Sequence, residues 1–226
     1  EPVNANKSDI MWLNDLAKKN NLTICSLHSL TYTRPDLEIF NDSERLQSLV
    51  SYIAKYVDIA KKLNCSNLVF GSPKSRITYG KKKDYLDRKF QYFLKEIDLL
   101  CDKINFNIEP LSIKYCDYLN TFDEAVQVIL YQNYNNIKIQ LDVRTVIESY
   151  EDIDYIFKNF KYVEHVHVSN PGLNIPGGKW IDKHNLVSKK LKNYDYQGFI
   201  TAEVINKSDT SHLSFLNQTI NEMTEI

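Results

Sequence analysis

Glycine and proline are scarce, six of each in 226 residues, and no stretch rich in Pro, Gly or Ser divides the chain. A flexible linker is excluded, and one domain over residues 1–226 is expected. Cysteine is scarcer still. Cys25, Cys65, Cys101 and Cys116 stand far apart without a CxxC pair, which argues against a structural zinc site and against a secreted disulfide framework. They read as reduced, mostly buried thiols of a cytoplasmic protein. An excess of either charge is also missing: 28 Lys and Arg against 29 Asp and Glu leave a net charge of −1. The broad positive field of a protein living on nucleic acid or anionic lipid is absent, so neither nucleic acid nor a membrane is an expected partner. No apolar run approaches the roughly 20 residues that cross a bilayer, and no basic segment with an apolar core opens the chain as a signal peptide would. Apolar residues, by contrast, make up 43% of the sequence, enough for a packed core.

Hydrophobic periodicity switches repeatedly between short strand-like runs and longer helical ones, the alternation of an α/β fold with parallel strands. Helices are expected over 8–19, 43–63, 85–104, 121–131, 153–160 and near 184–191. In the first, Ile10, Trp12, Leu13, Leu16 and Ala17 form the apolar face; in the second, Ser43 is the expected cap. Strands are expected over 22–27, 67–70, 106–109, 137–142, 163–168 and 199–204. With a stub at Pro2 and Val3 the strands number about seven, one short of a (β/α)8 TIM barrel. A doubly wound open sheet is the alternative, but no glycine-rich nucleotide fingerprint follows any strand. The expected fold is therefore a (β/α)8 barrel lacking or truncated in its first β/α unit.

Side chains alternate across a strand, so the parity of polar residues can be read directly. Ile137, Ile139 and Leu141 share one face while Lys138, Gln140 and Asp142 share the other. Phe106 and Ile108 oppose Asn107 and Glu109, Val166 and Val168 oppose His165 and His167, and Ala202 and Val204 oppose Thr201 and Glu203. If the apolar parity meets the helices, Glu109, Asp142, His167 and Glu203 point inward near the C-terminal ends of their strands, the rim where barrel enzymes assemble their sites. A lone Glu or His at a strand end is ordinarily a solvated group. Four on consecutive strands with matching parity are a constellation, and three carboxylates brought together repel one another unless a cation intervenes. Three oxygen donors and one imidazole, with no thiolate, suit Mn, Mg, Co or Zn.

These residues resemble the xylose isomerase-like barrel superfamily, in particular its sugar phosphate isomerase/epimerase branch. The similar segments are Phe70-Gly71-Ser72-Pro73-Lys74-Ser75-Arg76, Ile108-Glu109-Pro110, Leu119-Asn120-Thr121-Phe122-Asp123-Glu124-Ala125, Leu141-Asp142-Val143, His165-Val166-His167-Val168-Ser169, and the stretch from His184 through Tyr196-Gln197-Gly198-Phe199 to Ala202-Glu203. Their order and spacing carry the likeness. The resemblance implies that Glu109, Asp142, His167 and Glu203 are ligands of a divalent metal. It also implies that Glu109 and Glu203 move a proton on the carbon next to the carbonyl of a small sugar or sugar phosphate. Two positions depart from the pattern: Thr145 stands where many relatives have His, and Tyr115 where some sugar epimerases have Glu. The family's first strand also has no counterpart, since Glu1-Pro2-Val3 resembles the end of its second.

Beyond the four, Arg76 is a candidate anion clamp, His28 a candidate partner of a sugar hydroxyl, and His184 a third substrate-binding candidate. His165 reads as a core histidine, and Trp180 and Tyr115 as pocket walls. Two other functions remain open. Asp182-Lys183-His184 resembles an Asp-x-His ligand pair of the superfamily's apurinic endonucleases. A degenerate barrel binding a sugar or a partner protein without turnover is the third. An uncovered slot beside the last strand would favour a homodimer.

Overall fold

The computed structural model describes residues 5–207 and 210–225. Six strands pair in chain order, every neighbour parallel: β1 (Ser26–Leu27), β2 (Asn67–Phe70), β3 (Asn105–Ile108), β4 (Ile137–Asp142), β5 (Val163–Val168) and β6 (Ile200–Ala202). Around them run α1 (Lys7–Lys19), α2 (Ser43–Leu63), α3 (Lys83–Leu100), α4 (Phe122–Tyr131), α5 (Val143–Glu148), α6 (Ile153–Lys158), α7 (Ile181–Asn193) and α8 (His212–Glu225). The sheet curls into an incomplete barrel. Its two edges approach at the C-terminal rim, where His28 Nδ1, just past β1, comes within 3.7 Å of Glu203 Oε1, just past β6. Pro2 and Val3, read from sequence as a further strand, lie outside the described residues. No helix is long and apolar enough to cross a membrane among the described residues.

The central strands β4 and β5 keep the limits that alternation predicts, whereas the first is only two residues long where six are expected. An edge strand has one partner to hold it, and Leu22 at its expected start is 67% exposed. Helix α2 is capped by Asp42, whose side chain accepts from Arg45 N at 2.8 Å. Ser43, the expected cap, is the first helical residue instead, because the longer reach of the aspartate carboxylate takes the orphan amide. In α1 only Ile10 and Ala17 are buried; Trp12, Leu13 and Leu16 face solvent, since α1 packs on α2 alone among its major contacts. Helices α5 and α8 have no counterpart in the sequence reading.

The core lies between the helices and the apolar face of the sheet. Phe70, Phe90, Phe93, Phe106 and Tyr118 form an aromatic cluster under α3, with Phe70 and Phe106 stacked at 5.4 Å. The opposite face is polar. Asn107 Nδ2 donates to Asn67 Oδ1 at 3.0 Å, Gln140 Nε2 points at Glu109 Oε1 at 3.5 Å, and Thr201 Oγ1 meets His165 Nε2 at 3.3 Å. Register aligns Asp142 with His167 and His167 with Thr201, so the polar parity continues across strands to the rim.

Candidate metal centre

At that rim, one carboxylate oxygen of Glu109, one ring nitrogen of His167 and one carboxylate oxygen of Glu203 lie within 4.8 Å of one another. Glu109 follows β3 directly, its backbone N–H donating to Phe70 O at 3.2 Å, and Glu203 follows β6, donating to Val168 O at 3.1 Å. Both amides continue the sheet ladder, which fixes where the two side chains start. Both ring nitrogens of buried His167, and Glu203 Oε2, have no hydrogen-bond partner. His167 Nδ1 is 3.6 Å from Glu203 Oε2, an ion-pair separation rather than a hydrogen bond. Unpartnered donors and acceptors facing one another at this spacing fit a divalent ion with bonds of about 2.0–2.2 Å.

Asp142 stands apart from that set. It caps α5, with Oδ1 accepting from Arg144 N at 2.9 Å, and its Oδ2 pairs with Arg144 Nη2 at 2.7 Å. The same Nη2 is 3.9 Å from Glu109 Oε1 and 3.8 Å from Glu203 Oε2. Arg144 is the residue that sequence reasoning missed. The available signal was a cation two positions after a strand-end acid, in a cluster that needs positive charge.

These neighbours set the acids apart. Burial, and then the charges of Asp142 and Glu203, push the Glu109 carboxyl well above the usual range. Burial likewise raises Asp142, with Arg144 opposing it. Glu203 is also pulled up by burial, but His167, Arg144 and His28 together outweigh that and hold it low. The two glutamates are thus shifted in opposite directions, Glu109 up and Glu203 down.

The remaining candidates divide into two groups. His28 joins the cluster: its ring is edge-on to His167 at 5.8 Å, and its side chain is 48% exposed at the mouth. Burial lowers its pKa, Glu203 opposes that, and His167 adds to the lowering. His184 and Arg76 are enclosed. His184 Nε2 meets Asn170 Oδ1 at 2.8 Å, and burial depresses its pKa to about 4. Arg76 is fully buried, with Nη1 donating to Tyr118 O at 3.3 Å and Nε and Nη2 unpartnered, so no anion in solvent reaches it in this state. His165 lies behind His167, neutral, its pKa lowered to about 4 by burial and then by the two neighbouring imidazoles. Thr145 is buried, Tyr115 is a wall over which the Arg144 guanidinium lies at 5.6 Å, and Trp180 packs against the core beside α7. A separate cavity of about 670 Å³ between α3 and α4, lined by Asp87, Gln91, Tyr118 and Gln127 among others, includes none of the cluster.

Comparison with known proteins agrees with this architecture. No curated protein sequence matches the chain closely. Among solved structures, 3-keto-D-glucoside 4-epimerase YcjR from E. coli in its apo form superposes with a TM-score of 0.81 at 16% identity, over 96% of this chain and 85% of that one. An AP endonuclease, family 2, from Brucella melitensis superposes at 0.74 with 18% identity, over 94% and 83%. The IolI protein with a bound zinc atom does so at 0.74 with 15% identity, over 94% and 80%. Identities this low establish shared fold. The family model described as xylose isomerase-like TIM barrel matches residues 4–222, nearly the whole sequence, and the chain belongs to that family.

Proposed function

We propose that the chain is a metal-dependent isomerase or epimerase of a small sugar or sugar phosphate, working by proton transfer at the carbon next to a carbonyl. The observation that carries this reading is the convergence of Glu109, His167 and Glu203 within 4.8 Å, with the two glutamates shifted in opposite directions. A divalent cation, when bound, polarises the substrate carbonyl and stabilises the negative charge that develops on its oxygen. Glu203, whose neighbours favour its charged form and whose side chain is partly exposed, is the group that removes a proton from carbon. Glu109, buried on the other side of the cluster, is the counterpart that returns one. Return to the neighbouring, former carbonyl carbon isomerises; return to the opposite face of the same carbon epimerises. His28, at the mouth, hydrogen-bonds a substrate hydroxyl. Two solved neighbours support the reading by their chemistry, one an epimerase of a keto-glucoside and one holding zinc.

A second reading, a barrel that binds sugar without turnover, is favoured by one feature: Asp142 is committed to Arg144. One experiment separates the two. Protein reloaded with Mn, Co or Zn after chelation is incubated with a panel of ketoses, keto-glycosides and sugar phosphates in deuterated water. Catalysis appears as deuterium at the carbon next to the carbonyl. Glu203→Gln should retain the fold by circular dichroism and lose exchange by about 10²–10⁴-fold. No exchange on any substrate, with no metal retained, sinks the proposal. Cleavage of abasic-site DNA by the same preparation would turn it toward the endonuclease neighbour.

A further inference from the structure

The acids of the cluster already have a cation among them, and it belongs to the chain. Arg144 Nη2 touches Asp142 at 2.7 Å and stands 3.8 Å from Glu203 and 3.9 Å from Glu109. One nitrogen is thus spread over three carboxylates, with a hydrogen bond to only one. The fork of a guanidinium is built for more than that, and Nε is buried without a partner. The arrangement supplies charge but leaves much of the hydrogen bonding unmade, on Arg144 as well as on His167 and Glu203. A divalent ion held by Glu109, His167 and Glu203 would lie within a few ångströms of the same Nη2. Two cations that close repel strongly in a buried site.

A second seat for the guanidinium exists on the same helix. Glu148 is four residues after Arg144 in α5 and so shares its face. Its side chain is only 3% exposed, and Oε2 is buried without a hydrogen-bond partner. Its other oxygen accepts from Tyr115 Oη at 3.3 Å and lies 3.9 Å from Lys114 Nζ. Tyr115 is the residue over whose ring the Arg144 guanidinium already lies. The track from Asp142 to Glu148 therefore runs across one aromatic face.

We propose that Arg144 is an exchangeable counter-cation: in the metal-free protein it neutralises the acid cluster through Asp142, and on metal entry it swings over Tyr115 to Glu148, freeing Asp142 as a fourth ligand. This rests on the metal reading above. It makes metal binding a replacement of one cation by another, so the guanidinium lowers the apparent affinity and Glu148 recovers part of that loss.

The test is a titration of chelator-treated protein with Zn and with Mn, by calorimetry and by competition with a fluorescent chelator. Arg144→Met should bind about tenfold more tightly or better, and Glu148→Gln several-fold more weakly. In the double variant the Glu148→Gln effect should vanish, since no guanidinium remains to be seated. Unchanged or weaker binding by Arg144→Met overturns the proposal, as does a Glu148→Gln effect of equal size in both backgrounds. If wild type binds and Arg144→Met merely matches it, only the exchange falls. If neither binds at millimolar metal, the metal reading falls with it. Should Arg144→Met fail to fold, a zinc-soaked crystal of the wild type decides: Arg144 must have left Asp142, and a retained 2.7 Å contact with zinc bound overturns the proposal.

Discussion

On the helix-facing side of the sheet, Leu68, Phe70, Phe106, Ile108, Ile139 and Leu141 are buried in the hydrophobic core. On the barrel side, Asn67, Asn107, Gln140 and Asp142 from the same strands, and His165 and His167 from β5, are just as buried and polar, with Val69 the apolar neighbour of Asn67 on β2. A TIM barrel interior is commonly filled by branched apolar residues, which need no partners. Here Asn107 Oδ1, Gln140 Oε1, His165 Nδ1 and both nitrogens of His167 are buried and unpaired. Such groups cost stability wherever they are left unsatisfied. The helix-facing layer must therefore supply the stability that the inner layer forgoes.

The largest effect that would test this division is on the outer face. Phe106→Ala removes a ring stacked on Phe70 and touching Phe93 edge-on, in a space with no solvent access. Urea unfolding should show a loss of about 3–5 kcal/mol, with metal affinity little altered in the fraction that folds. A loss below about 1 kcal/mol would mean that the aromatic layer is not what holds the sheet. Next in size is Gly71→Ala, beside the inner face. A Cβ there would sit 2.2 Å from Glu109 Oε2 and 3.2 Å from its Cδ, so the carboxylate must move. Glu109 is enclosed by Gln140 and Arg144 and has little room to do so. Metal affinity should fall about 10–100-fold, as for other groups that orient a ligand, while the urea midpoint shifts far less than in Phe106→Ala. The reverse pattern, a large stability loss with intact metal binding, breaks the comparison.

The same division explains what the sequence discloses. Strands β4 and β5 have partners on both sides and helices behind them, so burial forces strict alternation and their limits can be read residue by residue. Alternation in β3 to β6 likewise points to Glu109, Asp142, His167 and Glu203 as one inward-facing set, of which the structure brings Glu109, His167 and Glu203 within 4.8 Å of one another. Arg144 and Glu148 stay hidden because α5 is only six residues long and starts on the last residue's heels of β4. Six residues are too few for a helical period to emerge, so the one signal that Arg144 folds back onto Asp142 is its charge two positions after a strand-end acid. Edge strand β1 is illegible for the opposite reason: with one neighbour, apolar residues such as Leu22 need not be buried. Arg76 and His184 carry the right chemistry for a pocket, but periodicity gives no depth, and both are closed off by the layers above them.

The smallest effect separates the two layers by pH. Glu151 is a partly buried polar group on the helix side and, unlike its inner-face counterparts, its Oε2 is satisfied, accepting from Phe122 N at the start of α4 at 2.7 Å. Burial still raises its pKa to about 7, with Glu124 and Asp123 adding to the rise and the Phe122 amide opposing it. A carboxyl raised in the folded state contributes stability that is complete below the unfolded value near 4.5 and is lost as pH climbs through about 7. His165 and His184, depressed to about 4, behave in the opposite sense: their contribution is present above the unfolded value near 6.5 and is lost as pH falls toward 4. Metal-free stability should therefore decline toward both acid and alkaline pH, with the raised carboxyls of Glu109 and Asp142 adding to the alkaline loss. Glu151→Gln keeps the acceptor for Phe122 N and removes one titration, so it should lessen the alkaline limb between pH 5 and 8, by on the order of 1 kcal/mol, and leave the acid limb and the share of Glu109 and Asp142 standing. If the acid limb flattens as well, the two layers titrate as one unit and the division drawn between them is wrong.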